Sequence, residues 1–328
     1  MLKVGKVPEN VLKRSVFKQI HTKREEVVLG AGVGEDCAAL QLKEDEIFVL
    51  STDPITGTVQ DIGNLAIHIT INDLASSGAE PIGVMLTILL PVGSEESELK
   101  SMMRQIEESC AKARVQIMGG HTEVTKAVNQ PVISVCGVGK AKKGKLVSTG
   151  GVKPGDDIVI TKWIGLEGTS IIAKEKEIEL KQRYPQDLID VAKDFDKYLT
   201  VLPEARVAVA CGVNAMHDVT EGGIFGALWE FAESSGVGLE IHLKKIPVKQ
   251  ETIEVCEFFG INPYELISSG SMLMASQDGN RLVWELEKAG IYAVVVGKAT
   301  DGNDRVLINE DECRFLEPPK TDELYKIV

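Results

Sequence analysis

The sequence predicts two domains, an α/β domain over residues 1–150 and an α+β domain over residues 151–328. Two observations carry this. Short apolar runs alternate with amphipathic stretches in both halves, the pattern of helices layered on sheets and not of a helical bundle. Between Gly139 and Asp157 the chain turns Gly-, Lys- and Ser-rich and carries Lys153-Pro154-Gly155-Asp156, turn chemistry that separates the halves. The 328 residues, 44% hydrophobic and 26% charged, suffice to bury two cores of ordinary size.

The first segment, Pro8 to Ile20, spaces Val11, Leu12, Val16, Phe17 and Ile20 as a helix. A glycine-rich stretch follows, Leu29-Gly30-Ala31-Gly32-Val33-Gly34-Glu35-Asp36. Ile47 to Leu50 reads as a strand running into Ser51-Thr52-Asp53. Asn64 to Ser77 reads as a helix stopped by Gly78 and Pro81. Val84 to Leu90 is a strand, Ser94 opens an amphipathic helix to about Arg114, and Val132 to Val138 is another strand. The second half restarts with a strand at Ile158 to Thr161. Helices are expected at Leu166–Ala173, Gln186–Leu199, Ala205–Ala210, Glu221–Ser235, Lys249–Phe259 and Gly279–Ala289, with strands near Met272–Ala275 and Ala293–Val296.

Several function classes drop out. The formal charge is −13, from 36 basic and 49 acidic residues, and such a chain repels phosphate backbones, so nucleic acid is not an expected partner. The one dense basic run, Lys140 to Lys145, reads as a solvated loop tip. No apolar run is long enough to span a bilayer and the N-terminus lacks a signal peptide's apolar stretch, so a cytoplasmic protein without a membrane partner is expected. The six cysteines form no Cys-x-x-Cys pair and read as small, mostly buried thiols. The phosphate-loop, dinucleotide, nucleophile-elbow and His-Glu-x-x-His signatures are absent.

What remains is a series of acids beside glycines: Asp36 after the first glycine-rich stretch, Asp53 closing a strand, and Asp73 in Ile71-Asn72-Asp73-Leu74-Ala75-Ser76-Ser77-Gly78. Gly119-Gly120-His121-Thr122-Glu123 and His217-Asp218-Val219-Thr220-Glu221-Gly222-Gly223 complete it. Carboxylates hold magnesium against phosphates, and glycines let backbone N–H groups approach phosphate oxygens. Each element also has a plain explanation. Asp53 alone reads as a cap, Gly222 and Gly223 as a helix opening, and His217 as a satisfied core histidine. Asp73 is harder to explain so, because a carboxylate between Ile71 and Leu74 is costly unless paired.

Taken in order, these motifs resemble those of the superfamily of aminoimidazole ribonucleotide synthetase (PurM-like), which includes selenophosphate synthetase, thiamine-monophosphate kinase and HypE. The resemblance runs from about residue 28 to 300. It implies an N-terminal domain whose sheet completes a barrel with a second subunit's in a homodimer, a C-terminal α+β domain, and ATP with Mg2+ in the cleft. It also implies that Asp36, Asp53 and Asp73 are metal- and phosphate-side carboxylates, with Gly32 and Gly34 over the phosphates and Gly119, Gly120 and Thr122 in the nucleotide loop. Asp218 becomes a C-domain acid facing the cleft, with Gly222 and Gly223 opening the helix behind it. His121 stands where kinase and HypE members commonly carry Asp. Histidine is a poor magnesium ligand, so either the metal shell is thinner or Glu123 substitutes. Asp73, Asp218 and His121 are the candidate catalytic residues.

Within the superfamily, Glu230 to Pro263 resembles the hydrogenase-maturation HypE branch best. HypE members use ATP to dehydrate a carbamoylated C-terminal cysteine to a thiocyanate, whereas this sequence ends Leu324-Tyr325-Lys326-Ile327-Val328. What the resemblance implies is a HypE-like ATP and magnesium site, with a maturation-complex protein as a possible partner. The acceptor stays open between a small molecule and a protein-thiol-derived group. Two other readings stand beside it: a small-molecule kinase like the thiamine-monophosphate enzyme, and a non-catalytic nucleotide-binding member of a maturation complex.

Overall fold

The computed structural model describes residues 2–32, 37–56, 61–318 and 320–327. The chain divides into two compact units, one of residues 1–75 and 79–146 and one of 76–78 and 147–328. The expected Gly34 and Asp36 lie outside the described residues. No helix among the described residues is long and apolar enough to cross a membrane.

The first unit contains β1 (Gly5–Lys6), α1 (Glu9–Ser15), β2 (Val27–Leu29), β3 (Ala39–Leu40), β4 (Glu46–Ile55) and α2 (Ile62–Ser76). It continues with β5 (Glu80–Pro91), α3 (Glu96–Ala113), β6 (Gln116–Thr125) and β7 (Val132–Lys142). The main sheet runs β1-β6-β5-β7-β4, with β5 and β6 parallel and joined through α3. Alternation along the strands sorts two faces. Ile47 and Val49 pack toward Leu74, Ala79 and Ala141, so their face of the sheet, which also carries Ser51 and Asp53, is covered by α2. The opposite face of β4 presents Phe48 and Leu50, 51% and 65% exposed. α2 is apolar nearly all round, with Ile67, Ile71 and Leu74 fully buried, which is why its one-sided pattern is weak. α3 opens on a reciprocal capping box between Glu95 and Glu98 and buries Leu99, Met103 and Ile106.

Two expectations need correcting here. Gly119–Glu123 is not a loop but the middle of β6, because Ile117, Thr122 and Val124 alternate inward and pull the glycines into the ladder. Lys140 and Lys142 are not in a loop tip either. They lie in β7, where Lys140 Nζ reaches Glu26 at 2.6 Å and Lys142 Nζ reaches Asp45 at 2.6 Å.

The second unit contains β8 (Asp157–Thr161), α4 (Leu166–Glu175), α5 (Glu177–Leu180), α6 (Gln186–Lys193), α7 (Leu202–Cys211), β9 (Ala215–Val219) and α8 (Gly223–Ser235). Then come β10 (Gly238–His242), α9 (Gln250–Phe259), β11 (Ser271–Ser276), α10 (Gly279–Lys288), β12 (Ala293–Thr300), β13 (Arg305–Asn309) and β14 (Glu312–Phe315). Its sheet runs β14-β13-β10-β12-β8-β11-β9. Leu228 and Phe231 of α8 pack with Ile160, Leu273 and Val219 in one core cluster. β11 is antiparallel to both β8 and β9, so the last residues of β8 and β9 and the first of β11 meet at one end of the sheet.

Candidate active site

The first unit gathers two sets of expected residues. On the helix-covered face, the Ser51 hydroxyl donates a short hydrogen bond to Asp73 Oδ2 and lies 3.4 Å from Asp53 Oδ2. Strand period two puts Ser51 and Asp53 on the same face, and α2 sets Asp73 above them. Asp53 is inside β4 and not at its end, since the ladder to β7 continues through Ile55. A hydroxyl shared between two carboxylates marks a place where negative charge converges, and two carboxylates with substrate phosphates are the protein share that a magnesium ion ordinarily needs. Asp53 and Asp73 therefore fit that metal. Ser51 was not among the expected site residues, although the motif Ser51-Thr52-Asp53 contained it.

The register ties this cluster to the glycines. Asp53 pairs with Val135, Val135 with Leu86, and Leu86 with Gly120, one row across four strands, about 14 Å at the usual strand spacing. Gly120 has φ +149°, and a Cβ there would lie 2.0 Å from the Leu86 carbonyl oxygen, so no other residue fits without moving β5. Gly119 is less constrained, with only Met85 near its Cβ position. Gly32, Gly119, Gly120, His121 and Thr122 line one pocket against Phe17 and other apolar side chains.

His121 and Glu123 are placed differently. They pair with Thr87 and Leu89, one and three residues on from Leu86, and so face the open side of the sheet. There His121 Nε2 is 3.1 Å from Glu123 Oε2. Within this chain Glu123 does not join Asp53 and Asp73, so its expected role as a substitute metal ligand is not supported. The cause is the odd offset between its row and theirs. His121 is likewise turned away from Asp73.

The second unit contributes its own end-of-sheet cluster. Asp218 is buried in β9, opposite Met272 of β11. Gly222 (φ +81°) and Gly223 (φ +62°) follow, and a Cβ on Gly223 would meet the Tyr264 and Leu266 carbonyls at 2.6 and 2.8 Å. They open α8 as expected. The turn is held by Asp322, whose carboxylate accepts from the backbone N–H of Gly222 at 2.7 Å, Ile267 at 3.2 Å and Leu324 at 2.8 Å. Burial nonetheless raises the Asp322 pKa above the usual range, against the pull of those three donors.

Beside it, Glu167 in the first turn of α4 is 3% exposed, and burial pushes its carboxyl up to about 7. Ser269 opposes that rise through its hydroxyl and backbone, while the charges of Asp322 and Glu221 add to it. Neither Glu167 nor Asp322 was among the expected site residues. Glu167 carried the same signal as those that were, an acid beside glycines (Gly165-Leu166-Glu167-Gly168) after a strand. Nothing local marked Asp322, whose partners Gly222 and Ile267 are distant in sequence.

Residues 34–141 match the family described as AIR synthase related protein, N-terminal domain, and residues 153–309 match its C-terminal domain. The chain is 30% identical over 313 residues to a putative hydrogenase expression/formation protein of Methanocaldococcus jannaschii, covering 93% of this chain and 91% of the relative. It is 28% identical over 291 residues to the carbamoyl dehydratase HypE of Rhodobacter capsulatus, covering 87% and 82%. Its fold is similar to the crystal structure of hydrogenase maturation protein HypE in complex with ATP (TM-score 0.78, 20% identity, 98% and 97% covered). It is also similar to that of a HypE–HypF complex (TM-score 0.73, 24% identity, 83% and 90% covered).

Proposed function

Because the chain belongs to the AIR synthase related family, we propose that it is an ATP- and magnesium-dependent enzyme of the HypE type, which activates a carbamoyl oxygen so that it leaves as phosphate. The observation that carries this reading is the Asp53–Ser51–Asp73 cluster, set in register with the glycine step at Gly120. Dehydrating a carbamoyl group means expelling its carbonyl oxygen, a poor leaving group until it is phosphorylated. Catalysis of such a transfer is mostly positioning and charge neutralisation.

Asp53 and Asp73 would hold magnesium, which supplies positive charge beside the phosphate oxygens. The Gly119–Gly120 amides and Gly32 suit the phosphate side of a nucleotide, with the apolar wall around Phe17 against its ring. In the second unit, Asp218, Gly222 and Gly223 form a cluster of their own at one end of its sheet. His121 and Glu123 lie instead on the open face of the first sheet. That face, with Phe48 and Leu50 exposed, supports a homodimer in which two sheets close a barrel. The acceptor is a carbamoylated thiol brought by a maturation-complex protein, which the similarity to the HypE–HypF complex supports. Six free cysteines agree with a cytoplasmic setting.

The test is ADP formation by the pure protein with ATP, magnesium and a carbamoylated thiol, compared with Asp73→Asn. Turnover that depends on magnesium and falls about 100-fold or more in Asp73→Asn is the expected result. Tight ATP binding without ADP formation in the presence of the acceptor would sink the enzymatic reading.

A further inference from the structure

β14 (Glu312–Phe315) ends the sheet of the second unit, with β13 on one side and no strand on the other among the described residues. All four of its residues are exposed, Phe315 by 68%. An edge strand offers its unpaired N–H and C=O groups to any chain that lies alongside, and proteins usually guard it with proline, a bulge or lysine. β14 has none of these: it reads Glu-Cys-Arg-Phe, and its register to β13 runs without a shift.

The ladder to β13 decides which groups are on offer. Leu316 N–H donates to the Arg305 carbonyl at 2.8 Å, so Arg305 and Leu316 form a hydrogen-bonded pair. Such pairs recur at every second residue of an antiparallel ladder. Arg314 with Leu307 and Glu312 with Asn309 therefore turn their backbone groups toward β13, whereas Cys313 and Phe315 turn theirs to the open edge. Side chains alternate as well. Glu312 and Arg314 share the face of the buried Leu307, and Cys313 and Phe315 stand on the other. Neither Glu312 nor Arg314 has an ion-pair or hydrogen-bond partner among the described residues; the Arg314 guanidinium lies 5.7 Å from the Phe225 ring.

We propose that β14 is a docking edge for β14 of a second copy of this chain, the two strands running antiparallel about a two-fold axis at Cys313. Charge selects both the partner and the register. A new ladder closes only where the outward groups of one copy meet those of the other. Pairing centred on Glu312 sets Glu312 against Glu312, and pairing centred on Arg314 sets Arg314 against Arg314, and like charges directly opposite repel. Pairing centred on Phe315 sets Arg314 against Leu316 and Glu312 against Pro318, which satisfies neither charge. Centred on Cys313, Glu312 of each copy faces Arg314 of the other, and the two-fold axis makes that attraction twice. The pattern is complementary to itself, so it admits this chain and turns away strands of unlike charge order. The contact uses the second unit alone and does not rest on the functional reading above.

Thiol trapping in the full chain tests it. The two Cys313 residues of a docked pair stand about 5.5 Å apart at Cα, within the span of a disulfide. Added copper–phenanthroline oxidises two such thiols to one disulfide, and mass spectrometry of non-reduced peptides separates the Cys313–Cys313 species from links made by exposed Cys37. Glu312→Arg places arginine against Arg314 at both ends of the contact and is expected to slow Cys313 linkage about 10-fold or more. Glu312→Arg combined with Arg314→Glu reverses both charges and is expected to return the rate to within about 3-fold of wild type. In sedimentation of the reduced proteins, the weight-average mass is expected to fall in the single variant and recover in the double. Both substituted side chains are exposed, so the variants keep the fold. Linkage as fast in Glu312→Arg as in wild type marks random collision of exposed thiols and overturns the proposal. A double variant that stays as slow as the single one overturns it too.

Discussion

Replacing Glu167 with glutamine should stabilise the second unit at neutral and alkaline pH. The carboxyl is displaced by burial from 4.5 to about 7, which corresponds to about 3 kcal/mol between its two protonation states. The sign follows from which state binds the proton more tightly. Below 4.5 the group is protonated whether the chain is folded or not, and it carries no penalty. Between 4.5 and about 7 the unfolded chain ionises first, so unfolding releases a proton and stability falls as pH rises. Above about 7 the folded chain carries a buried carboxylate and the full cost. Glutamine keeps the shape and never ionises. The three tryptophans, Trp163, Trp229 and Trp284, all lie in the second unit, so urea unfolding followed by their fluorescence reports it alone. Glu167→Gln should match wild type near about pH 4 and exceed it by about 3 kcal/mol near about pH 8. A difference between the two proteins that does not change with pH would refute the assignment of that penalty to Glu167.

Other outcomes follow from the same geometry. Gly120→Ala should destabilise the first unit by about 3 kcal/mol or more, since its Cβ would sit 2.0 Å from a β5 carbonyl, whereas Gly119→Ala should cost about 1 kcal/mol or less; chemical denaturation separates them. Asp322→Ala removes the acceptor of three amides, and hydrogen exchange at Gly222, Ile267 and Leu324 should accelerate by about 10-fold or more. Phe48→Lys with Leu50→Lys should shift the proposed dimer to monomer in sedimentation without unfolding it, because both side chains already face solvent in the single chain.

Most helices and strands were legible because their apolar spacing is strong. The helix expected at Leu166–Ala173 runs Leu166–Glu175, and the one at Gly279–Ala289 runs Gly279–Lys288. β6 was not legible, because Gly119-Gly120 reads as turn chemistry until β5 is known to lie alongside and to leave no room for a side chain at Gly120. The edge strand β14 and its neighbour β13 are short and offer little periodicity. At the site, local order in sequence brought forward Asp53 and Asp73, but which side of a strand Glu123 faces depends on the register of a parallel pair, a fact no single segment holds. The partnership of Asp322 with Gly222, 100 residues away, is of the same kind.

That shared row also bears on how the first unit comes to exist. Asp53 reaches Gly120 only through Val135 and Leu86, and β5 meets β6 only after α3 has carried the chain back alongside. A slip of one residue in β4 would turn Asp53 and Ser51 to the open face and bring Thr52 under α2. A nascent chain released before β7 is inserted between β5 and β4 would thus hold the glycine step without its acids. Nucleotide added during refolding should stay unbound until the last of those four strands is in place, which makes ATP protection a clock for closure of the sheet and not for collapse.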